Sequence, residues 1–174
     1  MQYISHYQSS LGPILLAADA DGLTGLWFEG QKYFALHLSA QREEGETPIL
    51  AQARRWLDIY FSGEEPDFSV PLHFTGTEFQ KRVWNILPTI PYGQTTTYGE
   101  IARQLAAAGH MSAQAVGGAV GHNEISILVP CHRVVGASGS LTGYAGGIDK
   151  KVGLLTLEGT DMSGLFVPKK GTAL

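Results

Sequence analysis

The feature that most constrains this fold is a change of period along the chain. The first 28 residues read as strands, "YISHYQS", "PILLAAD" and "GLTGLWFE", broken by the turn signals "SLGP" and "DADG". An antiparallel meander is the simplest arrangement of three such segments. From residue 47 onward the spacing is helical. Strands gathered at one end and helices at the other make an α+β protein.

The helical signals are local and specific. In "TPILAQARRWLDIYFSG", Thr47 can cap the start, Pro48 suits the first helical position and Gly63 suits the exit, with Ile49, Ala53, Trp56, Leu57 and Tyr60 on one face. "GEEPDFSVPLHFTG" reads as a linker. A capping box, Thr77 to Gln80, opens "TEFQKRVWNIL", whose Phe79, Val83, Ile86 and Leu87 share a face; "PTIPYG" stops it. A second capping box, Thr97 to Glu100, opens "TYGEIARQLAAAG", with Ile101, Ala102, Leu105 and Ala106 inward and Gly109 at the end. Ser112 then caps "SAQAVGGAVG", which makes a helix-turn-helix candidate. The expected division is a small antiparallel sheet with a helix over 1–73, then a mostly helical, winged helix-turn-helix-like domain over 74–174.

Charge follows the same division. Residues 1–73 hold four Lys/Arg against ten Asp/Glu, a net of −6, and residues 74–174 hold eight against six, a net of +2, which together give the chain's −4. An acidic half beside a mildly basic one fits a protein that turns only its second half toward a polyanion. At 44% hydrophobic and 16% charged residues the chain reads as soluble and globular, with no secretory signal and no membrane-spanning run, so a cytoplasmic location is expected. The tail "MSGLFVPKKGTAL" has no assigned role, and its terminal position favours disorder.

The single cysteine, Cys131, lies in "ILVPCHRVVG". One cysteine forms no internal disulfide and no cysteine-based zinc cage. His6, His37, His73, His110 and His122 show no metal-ligand spacing and read as surface or packing residues. A lone cysteine is most often a small buried hydrophobe. Here, however, Pro130 suggests a strand, "ILVP", that ends at the thiol; His132 offers a base near neutral pH; and Arg133 adds positive charge. A free thiol titrates near 8.5, so bringing it to neutrality takes roughly 2 kcal/mol of preference for the anion. A histidine base also needs an orienting partner. Among Glu78, Glu100, Glu124, Asp149, Glu158 and Asp161, Glu158 stands out because it closes the helical "IDKKVGLLTLEG", expected to pack Ile148, Val152 and Leu155 inward. A solvated helix end is the equally weighted alternative for Glu158.

"PCHRV", preceded by "GGAVGHNEISILV" and followed by "VGASGSLTGYAGG" and "LLTLEG", strongly resembles the O6-alkylguanine-DNA alkyltransferases. The resemblance implies a ribonuclease H-like first domain. It also implies a monomer acting on double-stranded DNA that bears alkylated guanine, or O4-alkylthymine, with no cofactor, metal or membrane. An alkylated base would be flipped out and its alkyl group moved irreversibly to Cys131. By position, His132 would take the thiol proton through water, Glu158 would orient His132, Asn123 would brace the turn beside the active-site strand, and Tyr98 would protonate the departing guanine. The backbone around Val134 and Ala145 would read base edges, with Tyr144 and Gly146 in the pocket wall. Ser112, Ala113, Gln114, Ala115, Gly117 and Gly118 would enter the minor groove, with Arg133 also counted among the DNA-binding residues.

The chain departs from the family pattern in several places. Gln114 stands where many relatives carry an intercalating arginine, Ala145 where some carry a serine, and Ser126 where some carry a proline. Cysteines that some relatives use to hold zinc in the first half are absent. Two rival readings stay open from sequence: a lesion-binding module without chemistry, and a cysteine hydrolase built on Cys131, His132 and Glu158.

Overall fold

The computed structural model describes residues 1–106 and 111–168 and separates them into two compact units. The first comprises Met1–Thr75 with Glu124–Ser126; the second comprises Gly76–Asn123 with Ile127–Leu174. The sequence boundary was expected between residues 73 and 74; the structure adds a short return of three residues that chain order does not suggest.

In the first unit, β1 (Gln2–Ser9), β2 (Gly12–Ala18) and β3 (Leu23–Phe28) form the expected meander. A short β4 (Arg42–Glu44) joins the far edge parallel to β1, giving the order β3-β2-β1-β4. Strand β4 escapes sequence reading because "REE" has no apolar alternation. Strands β2 and β3 are buried along nearly their whole length because the sheet is covered on both sides. Leu15, Ala17 and Trp27 lie under Ile4, Ala35 and Leu38. Helix α1 (Pro48–Phe61) packs on β1, β2 and β3. Gly25 is required by packing: the Trp27 indole lies over it, and a Cβ there would fall 1.9 Å from the ring. Ile125 extends this sheet through a bridge to Leu26.

Thr47 Oγ1 caps α1 by accepting from the Leu50 N–H, and Pro48 fills the first turn. Its fully buried line is Leu50, Ala53, Leu57 and Tyr60, while Ile49 and Trp56 remain half-buried. Ala53, Leu57 and Tyr60 thus face inward as expected, with Leu50 taking the place of Ile49.

The second unit is helical. In α2 (Glu78–Ile86) the Thr77–Gln80 capping box forms in both directions. Trp84, rather than Phe79 or Ile86, joins Val83 and Leu87 in the core, where its indole N–H donates to the Ala119 carbonyl at 2.8 Å. At α3 (Tyr98–Leu105), Thr97 Oγ1 accepts from Glu100 N. The Glu100 carboxylate turns instead to Arg103, so the second capping box closes only halfway. Ser112 caps α4 (Ala113–Gly121) at 3.0 Å to Ala115 N, and α4 packs against both α2 and α3. The expected stop at Gly109 and the side chain of His110 lie outside the described residues.

A two-stranded parallel ladder, β5 (Thr96–Thr97) with β6 (Val134–Val135), ties the start of α3 to the segment after Cys131. Helix α5 (Ile148–Leu157) completes the unit. In the segment after α5, Met162 and Leu165 pack on Val135, Leu141 and Leu155, and Phe166 bridges Ser140.

Candidate active site

The expected strand over "ILVP" is absent. Residues 126–128 form a turn, Ile127 takes a left-handed φ of 72°, and Pro130 sits at φ −81°, ψ 65°. That conformation is an inverse γ-turn, closed by Cys131 N–H donating to the Val129 carbonyl at 2.8 Å. A single 3-10 turn, Cys131–Arg133, follows, with Arg133 N–H donating to the Pro130 carbonyl at 3.0 Å. A strand would send Cys131 and His132 to opposite faces, whereas this bent backbone sends both inward.

Asn123 holds the bend. Its Nδ2 donates to the Val129 carbonyl at 2.9 Å and to Cys131 Sγ at 3.2 Å. The side chain expected only to brace the turn therefore also touches the sulfur.

Behind the turn is a buried ionic cluster. Glu158 Oε2 lies 2.6 Å from His132 Nε2, and Arg133 grips the same carboxylate with Nε at 2.9 Å and Nη2 at 3.0 Å. Gly93 N–H adds a bond at 3.1 Å to Oε1. The remaining guanidinium nitrogen, Nη1, donates to the Ile90 carbonyl at 2.7 Å, and the group lies over the Tyr92 ring at 5.7 Å. Gly93 has a φ of +79°, which favours glycine, and a Cβ there would sit a tight 3.2 Å from the Glu158 carbonyl oxygen.

These contacts set the protonation states. Burial pushes the Glu158 carboxyl up, but its bonds to His132 and Arg133 outweigh burial and hold it at about 2. An ionised carboxylate only accepts hydrogen bonds, so Nε2 of the neutral imidazole carries the proton and Nδ1 the lone pair. Burial also lowers the His132 value, keeping it neutral near pH 7, and Nδ1 has no bond to any described residue. Burial raises the Cys131 thiol above its ordinary value; Asn123, the charge of Lys151 and backbone N–H groups only partly offset this. The resting sulfur is thus a thiol, against the expectation of a pKa drawn down to neutrality.

The comparisons with known proteins bear directly on this arrangement. Residues 78–160 match the family model described as 6-O-methylguanine DNA methyltransferase, DNA binding domain, and residues 2–74 match its ribonuclease-like domain. A methylated-DNA–protein-cysteine methyltransferase of Mycobacterium leprae is 49% identical over 150 residues, 86% of this chain and 88% of the relative. The chain belongs to the 6-O-methylguanine DNA methyltransferase family. A second relative of the same printed name, from Methanosarcina acetivorans, is 48% identical over 160 residues, 91% of this chain and 99% of its own. Among solved structures, Mycobacterium tuberculosis OGT in complex with DNA superposes with a TM-score of 0.79 at 46% identity, covering 90% of this chain and 92% of that one. The family's two-part α+β architecture agrees with the fold expected from sequence.

Other residues expected to act in this family fall into three groups. Tyr98 is buried at the start of α3 and donates its hydroxyl proton to the Thr142 carbonyl at 3.1 Å. Burial, followed by the influence of Cys131, raises its pKa well above the usual phenol range. Val134 is fully buried and its carbonyl already accepts from Lys151 Nζ at 2.6 Å. Tyr144, Ala145 and Gly146 make a tight turn closed by Gly147 N–H to the Tyr144 carbonyl at 3.0 Å.

On α4, Ser112, Ala113, Gln114, Ala115 and Gly118 are exposed together, whereas Gly117 is buried with Val116 on the inner side. Arg133, counted from sequence among the DNA-binding residues, is buried and engaged by Glu158 and Ile90. Both placements run against the expected role, for one reason: each side chain or backbone is already packed inside the unit. Ser126 is buried and belongs to the first unit, its N–H donating to the Leu26 carbonyl at 3.0 Å.

Two features escaped sequence reasoning. Arg133 is a second holder of Glu158, and no spacing rule announces a bond across 25 residues. Lys151 is fully buried beside the expected Leu155, whereas Val152 is partly buried against Val135, Leu141 and Leu155, and Ile148 is half-buried. Its signal was present: position 151 lies three residues after Ile148 and four before Leu155, on the inward stripe. Of the histidines, His73 comes together with Asp19 and Asp21, but its bond to Asp19 at 2.6 Å already satisfies the exposed ring.

Proposed function

We propose that this chain repairs DNA by direct reversal, moving the alkyl group of an O6-alkylguanine, or an O4-alkylthymine, to Cys131 in a single irreversible turnover. The observation that carries the reading is the combination at one buried turn of Cys131 Sγ bonded by Asn123 and His132 bonded by Glu158. The names of the relatives, and the DNA in the Mycobacterium tuberculosis complex, support DNA as the partner.

The chemistry balances without a cofactor. Cys131 loses its proton to Nδ1 of His132, directly or across a bridging water, and the thiolate attacks the saturated alkyl carbon. A sulfur–carbon bond forms as the carbon–oxygen bond breaks, and the electron pair leaves on the guanine. Tyr98 turns from the Thr142 carbonyl to protonate that base, and the tyrosinate left behind recovers a proton from the His132 imidazolium through solvent, so the thiol proton ends, in net, on guanine. Glu158, held ionised by Arg133, steadies the imidazolium that forms. The product is a thioether, which water does not readily cleave, and so the protein acts once.

Val134 and Ala145 offer backbone groups to the base edges, with Tyr144 and Gly146 as the pocket wall. The Val134 carbonyl keeps one lone pair beyond its bond to Lys151. Exposed Ser112, Ala113, Gln114, Ala115 and Gly118 form the minor-groove face, where small side chains permit close approach. The protein works as a cytoplasmic monomer; among the described residues no helix is long and apolar enough to cross a membrane. Titration of protein against duplex carrying O6-methylguanine tests the reading: repair should plateau at one lesion per chain. Repair that continues past that point would make the protein a multiple-turnover enzyme and overturn it.

A further inference from the structure

Lys151 has no part in the function as described so far, yet among the described residues it is the most buried cation of the second unit. Its side chain is fully enclosed, and Nζ donates to the Val134 carbonyl at 2.6 Å and to the Thr142 carbonyl at 2.9 Å. Both acceptors are neutral. A buried ammonium without a carboxylate loses hydration and gains no counter-ion, so a purely structural role would be served better by an apolar side chain. Its charge acts on Cys131 and His132 of the active-site turn, and it shares the Thr142 carbonyl with Tyr98 of α3. Asp149 and Lys150, its neighbours on α5, pair with each other at 3.1 Å. Of these facing groups, the sulfur acquires negative charge in the reaction.

We propose that Lys151 is a positioning residue for alkyl transfer, pinning the Val134 and Thr142 carbonyls on either side of the base pocket and supplying the positive charge that Cys131 meets as it ionises. The carbonyl of Thr142 accepts from both Lys151 and Tyr98. When the Tyr98 hydroxyl turns to the guanine, Lys151 keeps that carbonyl satisfied, and the wall at residues 142–146 stays in place. Burial lowers the lysine to about 8, with the influence of Cys131 opposing this, so its charge is present at neutral pH and lost in alkaline solution.

The proposal rests on Cys131 as the acceptor, but its test reads the thiol alone. The rate of carboxamidomethylation of Cys131 by iodoacetamide is followed against pH in the DNA-free protein, for wild type, Lys151→Met and Lys151→Arg. The Met variant should react about tenfold more slowly at neutral pH, its pH profile displaced upward by about one unit. The Arg variant should react at close to the wild-type rate near neutrality and gain on wild type above about pH 8, where lysine loses its charge and arginine does not. A folded Met variant with the wild-type profile, or an Arg-to-wild-type ratio that stays flat into alkaline pH, would overturn the proposal. Failure of both variants to fold would do the same, by assigning Lys151 to the fold alone. Since no DNA enters these readouts, a protein that never removes an alkyl group would refute the function and leave this profile to be judged separately.

Discussion

Glu158 Oε2 sits 2.6 Å from Nε2 of His132, with both side chains fully buried and Arg133 bonded to the same carboxylate. The pair fixes which imidazole nitrogen is basic, because the charged carboxylate claims the Nε2 proton and leaves the lone pair on Nδ1, the nitrogen that takes the thiol proton in the proposed transfer. Glu158→Gln preserves the shape but removes the charge that steadies the imidazolium. Its single-turnover rate on an O6-methylguanine duplex should fall on the order of 10²–10⁴-fold with DNA affinity unchanged. A rate within about twofold of wild type would remove the pair from the mechanism.

The same carboxylate makes stability depend on acid. Its folded value of about 2 lies below the ordinary glutamate value of roughly 4.3, so the stabilisation is fully present above the unfolded value and is lost as pH falls through the folded one. The magnitude is about 3 kcal/mol for this buried group. Denaturant midpoints measured from neutral to strongly acid pH should drop steeply between about pH 4 and 2 in wild type, and less so in Glu158→Gln.

Asn123→Ala leaves both the Val129 carbonyl and Cys131 Sγ without their donor. Loss of about 1–3 kcal/mol of stability is expected, together with a higher thiol pKa, because that N–H is the first of the contacts that offset burial. Chemical denaturation and the pH dependence of thiol alkylation measure the two effects independently.

Arg133 and Gln114 separate structure from DNA contact. Because the Arg133 guanidinium is turned inward, Arg133→Gln should lower stability without changing the slope of log affinity against log salt. Gln114 is exposed at the start of α4, and Gln114→Arg should steepen that slope by about 0.9 through one added phosphate contact. A shallower slope in Arg133→Gln would place that residue on the phosphate backbone after all.

Much of this was legible in the sequence because the relevant physics is local. Thr47, Thr77, Thr97 and Ser112 cap their helices as written, and the three-strand meander follows from its turns. What failed was set by distant packing. Strand β4 has no pattern of its own, "ILVP" bends because Asn123 and Pro130 hold it, and Gly117, Arg133 and Lys151 turn inward toward partners that chain order does not reveal. The protonation of Cys131 was misjudged for the same reason: burial depends on the fold and outweighs the favourable neighbours visible at positions 132 and 133.

The central claim is that Cys131 itself carries away the alkyl group. After incubation with duplex DNA containing O6-methylguanine, proteolysis and mass spectrometry should find one added methyl on the peptide holding Cys131, in step with the appearance of plain guanine, and nothing in Cys131→Ala. Guanine restored while that peptide keeps its original mass would contradict the account.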